Sequence, residues 1–172
     1  MPAKSPKRTL SATPSDPTAN PNIDPRDVPQ LQRPLPIIKV VGISGSGKST
    51  LVRALRTAGY DARPVSQEHS NVPTLWQQFD RPAYLIYLGA SLEDQETRRQ
   101  DVTWSAAAHQ EEARRLAHAR EHADVRIDTG KFSPAEVLQV ALAFLQRRRV
   151  RHADHALEQL PATGSATKRK SP

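Results

Sequence analysis

One stretch constrains this 172-residue chain more than any other: Gly42-Ile43-Ser44-Gly45-Ser46-Gly47-Lys48-Ser49-Thr50. It fits G-x-x-x-x-G-K-[ST], a phosphate-binding loop (P-loop) whose backbone N–H groups surround an anion. Ahead of it, Ile37-Ile38-Lys39-Val40-Val41 is a short β-branched run that reads as a buried strand. Behind it, Leu51, Leu55 and Ala58 recur at helical spacing, and Gly59 stands where that helix would be capped. Strand, glycine turn and helix form the setting that the pattern needs.

The residue types supply the chemistry. Gly42, Gly45 and Gly47 are predicted to take positive φ and let a phosphate approach with no Cβ in the way. Successive N–H groups would then face one concavity, beside the positive end of the helix dipole, with Gly42, Ser44, Gly45, Ser46, Gly47, Lys48, Ser49 and Thr50 as the candidate nucleotide-binding residues. Lys48 offers a mobile charge to β and γ phosphates, and Ser49 a hydroxyl to Mg²⁺.

Length leaves room for one domain, and no apolar run is long enough to span a membrane. With no cysteine, disulfides and thiolate metal sites are excluded, and a reducing cytoplasm is the expected compartment. The net charge of +7 suggests nucleic acid until it is located. Residues 37–146 carry thirteen Lys/Arg and thirteen Asp/Glu, so the excess sits in the two ends. A neutral core with basic ends has no shaped face for nucleic acid. Residues 1–36 hold nine of the fifteen prolines and few apolar side chains, predicting a disordered arm. The expected division is therefore an arm at 1–36, a folded domain at 37–149, and a basic, mostly disordered tail at 150–172.

Within the domain, Ala62–Ser66 reads as a second strand, with Gln67-Glu68-His69-Ser70 at its carboxyl end. Ligands of open α/β sheets bind at that end, which makes Glu68 and, less directly, His69 candidates. Glu68 could hold Mg²⁺ or act as a base toward a hydroxyl. Residues 73–79 suggest a short helix with Leu75, Trp76 and Phe79 turned inward, Trp76 packing in the core or lining a pocket. Ala83–Leu88 is an unalternating apolar run, as a parallel strand buried on both faces requires. From Leu92 to His122 the pattern is helical with a break near residues 101–104, capped by Ser91 with Asp94. It carries Arg98, Arg99, Arg114, Arg115 and Arg120, either a solvated face or a set from which Arg98 and Arg114 could close over a transferring phosphoryl group. Ala123–Thr129 reads as another strand, and Ser133-Pro134-Ala135-Glu136 as a capping box opening an amphipathic final helix. His152, His155, Leu157 and Leu160 hint at a further helical turn.

This order of P-loop, apolar strand at 84–91, arginine-bearing helix and Ile127-Asp128-Thr129 resembles the small P-loop kinases, the nucleoside, nucleotide, shikimate, gluconate and adenylylsulfate kinases, in a shortened form. The resemblance covers about residues 37–149. It implies an α/β fold: a three-layer sandwich with a short parallel sheet of four to five strands flanked by helices. It further implies ATP and Mg²⁺ as cofactors and transfer of the γ-phosphoryl group to a small-molecule acceptor. Lys48, Glu68, Arg98 and Arg114 would be catalytic, and Ser49 with Glu68 would hold the metal. The competing expectation is a catalytically weak ATP-binding module acting through a partner protein. A GTPase is disfavoured, because no D-x-x-G and no [NT]-K-x-D is present.

Overall fold

The computed structural model describes residues 33–162; residues 1–32 and 163–172 lie outside it, and with them nearly all of the predicted arm and the end of the predicted tail. Four strands, β1 (Ile37–Gly42), β2 (Asp61–Pro64), β3 (Tyr84–Gly89) and β4 (Val125–Asp128), pair in the order β2-β1-β3-β4, every pair parallel. The helices are α1 (Lys48–Thr57), α2 (Leu92–Arg98), α3 (Ala106–His122) and α4 (Pro134–Arg147). Two 3₁₀ turns, Gln67–His69 and Leu75–Gln77, lie between β2 and β3.

The chain leaves β1 toward β2 on one side and returns to β3 on the other. Right-handed crossovers in opposite directions place their helices on opposite faces, and the core divides accordingly. Ile38, Val40, Ile86, Leu88 and Ile127 face Leu51, Leu55, Ala141 and Leu145 of α1 and α4. Val41, Ile43 and Leu85 face Trp76 and Leu116 and Ala119 of α3. The sheet is thus the middle of three layers, as the apolar runs require.

Lys39 breaks the apolar run of β1, yet it is buried. Its Nζ donates to the carbonyls of Trp76 at 2.9 Å and Gln78 at 2.7 Å under the second face, and Gln78 O also accepts from Asp80 N–H at 2.9 Å. Burial pushes its pKa down, against an upward pull from Asp80. Residues 73–79 differ from expectation. Only Leu75–Gln77 is helical, and although Trp76 is buried, Phe79 is 96% exposed with φ at 67°. Asp80 N–H donates to Gln78 O at 2.9 Å across Phe79, a tight turn that its positive φ permits and that carries the ring outward.

Helix ends follow their sequence signals. Ser91 with Asp94 and Ser133 with Glu136 form reciprocal capping boxes. At the end of α1, Gly59 N–H bonds Arg56 O and Tyr60 N–H bonds Leu55 O, with Gly59 at φ 88°, a Schellman motif. Residues 150–162 form no helical turn. Two of their N–H groups go to α1 and the turn after it instead: Leu157 N–H to Arg56 O at 2.8 Å and Ala153 N–H to Gly59 O at 2.9 Å, while Arg56 Nε donates to Glu158 O. The segment is an extended strap over the carbonyl end of α1.

Candidate functional site

The site lies at the carboxyl ends of β1 and β3, where strand order reverses around β1. The loop glycines work in two ways. Gly45 and Gly47 take φ of 75° and 89°, as predicted. Gly42 does not have positive φ. It is glycine because β1 and β3 approach closely there: a Cβ would lie 2.5 Å from Leu88 O and 2.7 Å from Ser46 Oγ. Gly47 is the N-cap of α1 and no side chain caps the helix. Its first-turn N–H groups are therefore left for a ligand, beside the positive end of the dipole. Ser49 and Thr50 are exposed on that turn.

A cavity of about 640 Å³ opens over the loop, and Ser44 through Leu51 all line it. One wall is Pro64, Ser66, Glu68 and His69; the opposite wall is Arg98, Arg99, Thr129 and Phe132. Lys48 Nζ donates to Gly42 O at 2.7 Å and Ile43 O at 3.3 Å, and pairs with Glu68 Oε1 at 2.6 Å. Glu68 is 3% exposed, and its Oε2 is buried with no hydrogen-bond partner. An unsatisfied buried carboxylate oxygen beside the Lys48 ammonium suits a donor hydroxyl or a cation. Ser49 and Glu68 both border the cavity, so the donor set present is an oxygen set, compatible with Mg²⁺. His69 Nε2 is 3.7 Å from Glu68 Oε1, with its side chain largely exposed at the rim.

The turn carrying Glu68 is held from beneath. Gln67 is fully buried; its Nε2 donates to Val72 O and Arg115 O, and its Oε1 accepts from Trp76 N–H. Arg115 adds a bond to Glu68 O at 3.3 Å. One arginine of the helical stretch is therefore an anchor for the acid rather than a lid group.

The other arginines separate clearly. Arg98 Nη1 donates to Gly45 O at 3.1 Å and Thr129 Oγ1 at 2.9 Å, and Nη2 to Thr129 O at 2.7 Å. It clamps the end of α2 to the loop and to the end of β4, and still borders the cavity. Arg99 borders it too, paired with exposed Asp101. Arg114 does not line the cavity. Its guanidinium forks onto Glu111 at 2.9 and 2.7 Å on the exposed face of α3, an i,i+3 pair.

Two side chains near the loop escape a reading of the sequence by motif. Glu112 accepts from Ser44 N–H at 3.0 Å and Ser44 Oγ at 2.6 Å. Gln95, fully buried, donates to Ser44 O at 2.9 Å and Glu112 Oε2 at 3.2 Å, and its Oε1 meets His109 Nδ1 at 2.6 Å. Ser44 is thus fixed at three atoms from α2 and α3. A signal does exist: Glu112, Leu116 and Ala119 fall at i, i+4 and i+7, and all three are buried.

No protein-family model matches this chain, and no curated protein does. Among solved structures it is similar to shikimate kinase from Acinetobacter baumannii in complex with shikimate, at 16% identity and a TM-score of 0.46, covering 68% of this chain and 96% of that one. A likeness at that level bears on neither activity nor substrate. The α/β class rests on the parallel sheet and its three layers. No helix among the described residues is long and apolar enough to cross a membrane.

Proposed function

We propose that this chain binds ATP in the Gly42–Thr50 cradle and transfers its γ-phosphoryl group to a hydroxyl of a small-molecule acceptor lying against Glu68. The observation that carries this is the buried, half-unsatisfied Glu68 carboxylate in the same cavity as the P-loop, 2.6 Å from Lys48. The free N–H groups at the start of α1 and the Lys48 ammonium would hold β and γ phosphates. Glu68 would accept the acceptor's O–H proton as its oxygen bonds the γ phosphorus and the ADP oxygen departs. Arg98, already fastened to Gly45 and Thr129 and bordering the cavity, has guanidinium N–H groups left over that would balance charge on the phosphoryl oxygens. Mg²⁺, with Ser49 and Glu68 as its candidate protein ligands, would neutralise phosphate charge. Residues 37–149 would form the catalytic domain, with the strap at 150–160 as its brace.

A weak ATP-binding module acting through a partner is the second reading. It is favoured by Glu68 being the only carboxylate among the described cavity-lining residues, so that one acid would serve both metal and acceptor. Incubation with Mg-ATP and a panel of nucleosides, nucleotides, sugars and hydroxy acids separates the two. Acceptor-dependent ADP release, abolished in Lys48→Ala, is expected. Thermal stabilisation by ATP without turnover on any acceptor supports the binding module instead.

A further inference from the structure

All three ammonium protons of Lys48 have acceptors in the chain itself: Gly42 O, Ile43 O and Glu68 Oε1. A phosphate seated in the cradle calls on the same ammonium. Gln67 and Arg115 pin the backbone of the turn beneath Glu68, so that only its side chain is left to turn from Lys48. The cation of the nucleotide half-site and the anion of the acceptor half-site thus neutralise each other, with side chains 13% and 5% exposed.

We propose, resting on the nucleotide assignment above, that the Lys48–Glu68 pair is a latch. Phosphate and Glu68 compete for one ammonium, and Glu68 turns to the acceptor only after the phosphates have taken Lys48. Nucleotide therefore binds before acceptor, and the site is not primed by acceptor alone. A competing pair of this kind lowers nucleotide affinity, and the loss is recovered when the competitor's charge is removed.

The test is a double-mutant cycle on ADP affinity in EDTA, which removes any metal role of Glu68 from the result. Wild type, Glu68→Gln, Lys48→Ala and the double variant are titrated by calorimetry. Thermal stabilisation at millimolar ADP reads the weakest of them, and melting without ligand confirms that each is folded. Glu68→Gln keeps the shape and removes the charge. It is expected to bind ADP about tenfold tighter, on the scale of one charge-assisted hydrogen bond. In the Lys48→Ala background the same change should move affinity less than about twofold, since the two residues act through their contact. Unchanged or weaker binding in Glu68→Gln overturns the latch. So does an equal gain in both backgrounds, which would reduce Glu68 to general repulsion of phosphate. Absence of ADP binding in every variant, wild type included, is a different result: the nucleotide assignment fails and the latch falls with it.

Discussion

Gly42→Ala isolates the steric demand of the β1–β3 pairing. Gly42 pairs with Leu88, and an added Cβ would meet Leu88 O at 2.5 Å, Ser46 Oγ at 2.7 Å and Leu88 Cβ at 2.9 Å. Ser46 could rotate, but the carbonyl is part of the ladder and cannot move without parting the strands. Overpacking of that kind costs about 1–3 kcal/mol, and the backbone partner points to the upper half of the range. Gly47→Ala is the control. Its Cβ meets nothing within 4 Å, so only the left-handed φ of 89° is at stake, worth roughly 1–2 kcal/mol. Urea denaturation followed by circular dichroism gives both values. Gly42→Ala should lose at least as much stability as Gly47→Ala and should also weaken nucleotide binding, since β1 delivers the loop. Wild-type stability in Gly42→Ala would refute the close-approach account of that glycine.

Other perturbations separate structural from functional parts. Asp61 bonds both Arg56 and Arg63; burial works to raise its pKa, but the two guanidinium groups outweigh it and hold the carboxyl below its ordinary value of 3.8. Its stabilisation is therefore present above the unfolded-state value and lost as pH falls through the lower folded one. Asp61→Asn should cost about 1–3 kcal/mol at pH 7, and the gap from wild type should narrow below pH 3.8 in melting curves taken against pH. Gly59→Ala combines a φ of 88° with collision against the Ala153 carbonyl. It should lower the melting temperature with ADP affinity unchanged, because the strap sits at the opposite end of α1 from the loop. Arg98→Ala should reduce turnover and nucleotide affinity, whereas Arg114→Ala should leave both within error; the reverse pattern would relocate the lid.

Much of the fold is legible in local pattern. The β-branched runs, the two capping boxes and the glycine at the end of α1 act over a few residues, and each lies where its chemistry requires. The break between α2 and α3 is visible near residues 101–104, and the structure places Arg99–Ser105 outside both helices. What sequence cannot supply are partners distant along the chain. Phe79 reads as a core residue, but the structure closes a tight turn around it at Gln78 O, a carbonyl that Lys39 also holds from 39 positions away. Leu157 and Leu160 suggest a helical turn, but the Leu157 N–H goes to Arg56 O of α1 and the Ala153 N–H to Gly59 O beyond it. In the site, the loop is plain and Glu68 can be placed from the strand that precedes it, but charge alone gives no way to rank the arginines. Arg98 is at the loop because Thr129 and Gly45 offer carbonyls there; Arg114 is away because Glu111 is one turn off. Glu112 looks like half of a solvated pair, and only its position on the stripe with Leu116 distinguishes it from its neighbour Glu111.

The central claim is that Gly42–Thr50 is a nucleotide cradle operated by Lys48. Its most direct measurement is calorimetric titration of Mg-ATP into the full chain and into Lys48→Ala. Saturable binding at one site is expected, about tenfold or more weaker in Lys48→Ala, the loss of one charge-assisted contact. Heat indistinguishable from dilution in the wild type, or equal affinity in both proteins, would contradict it.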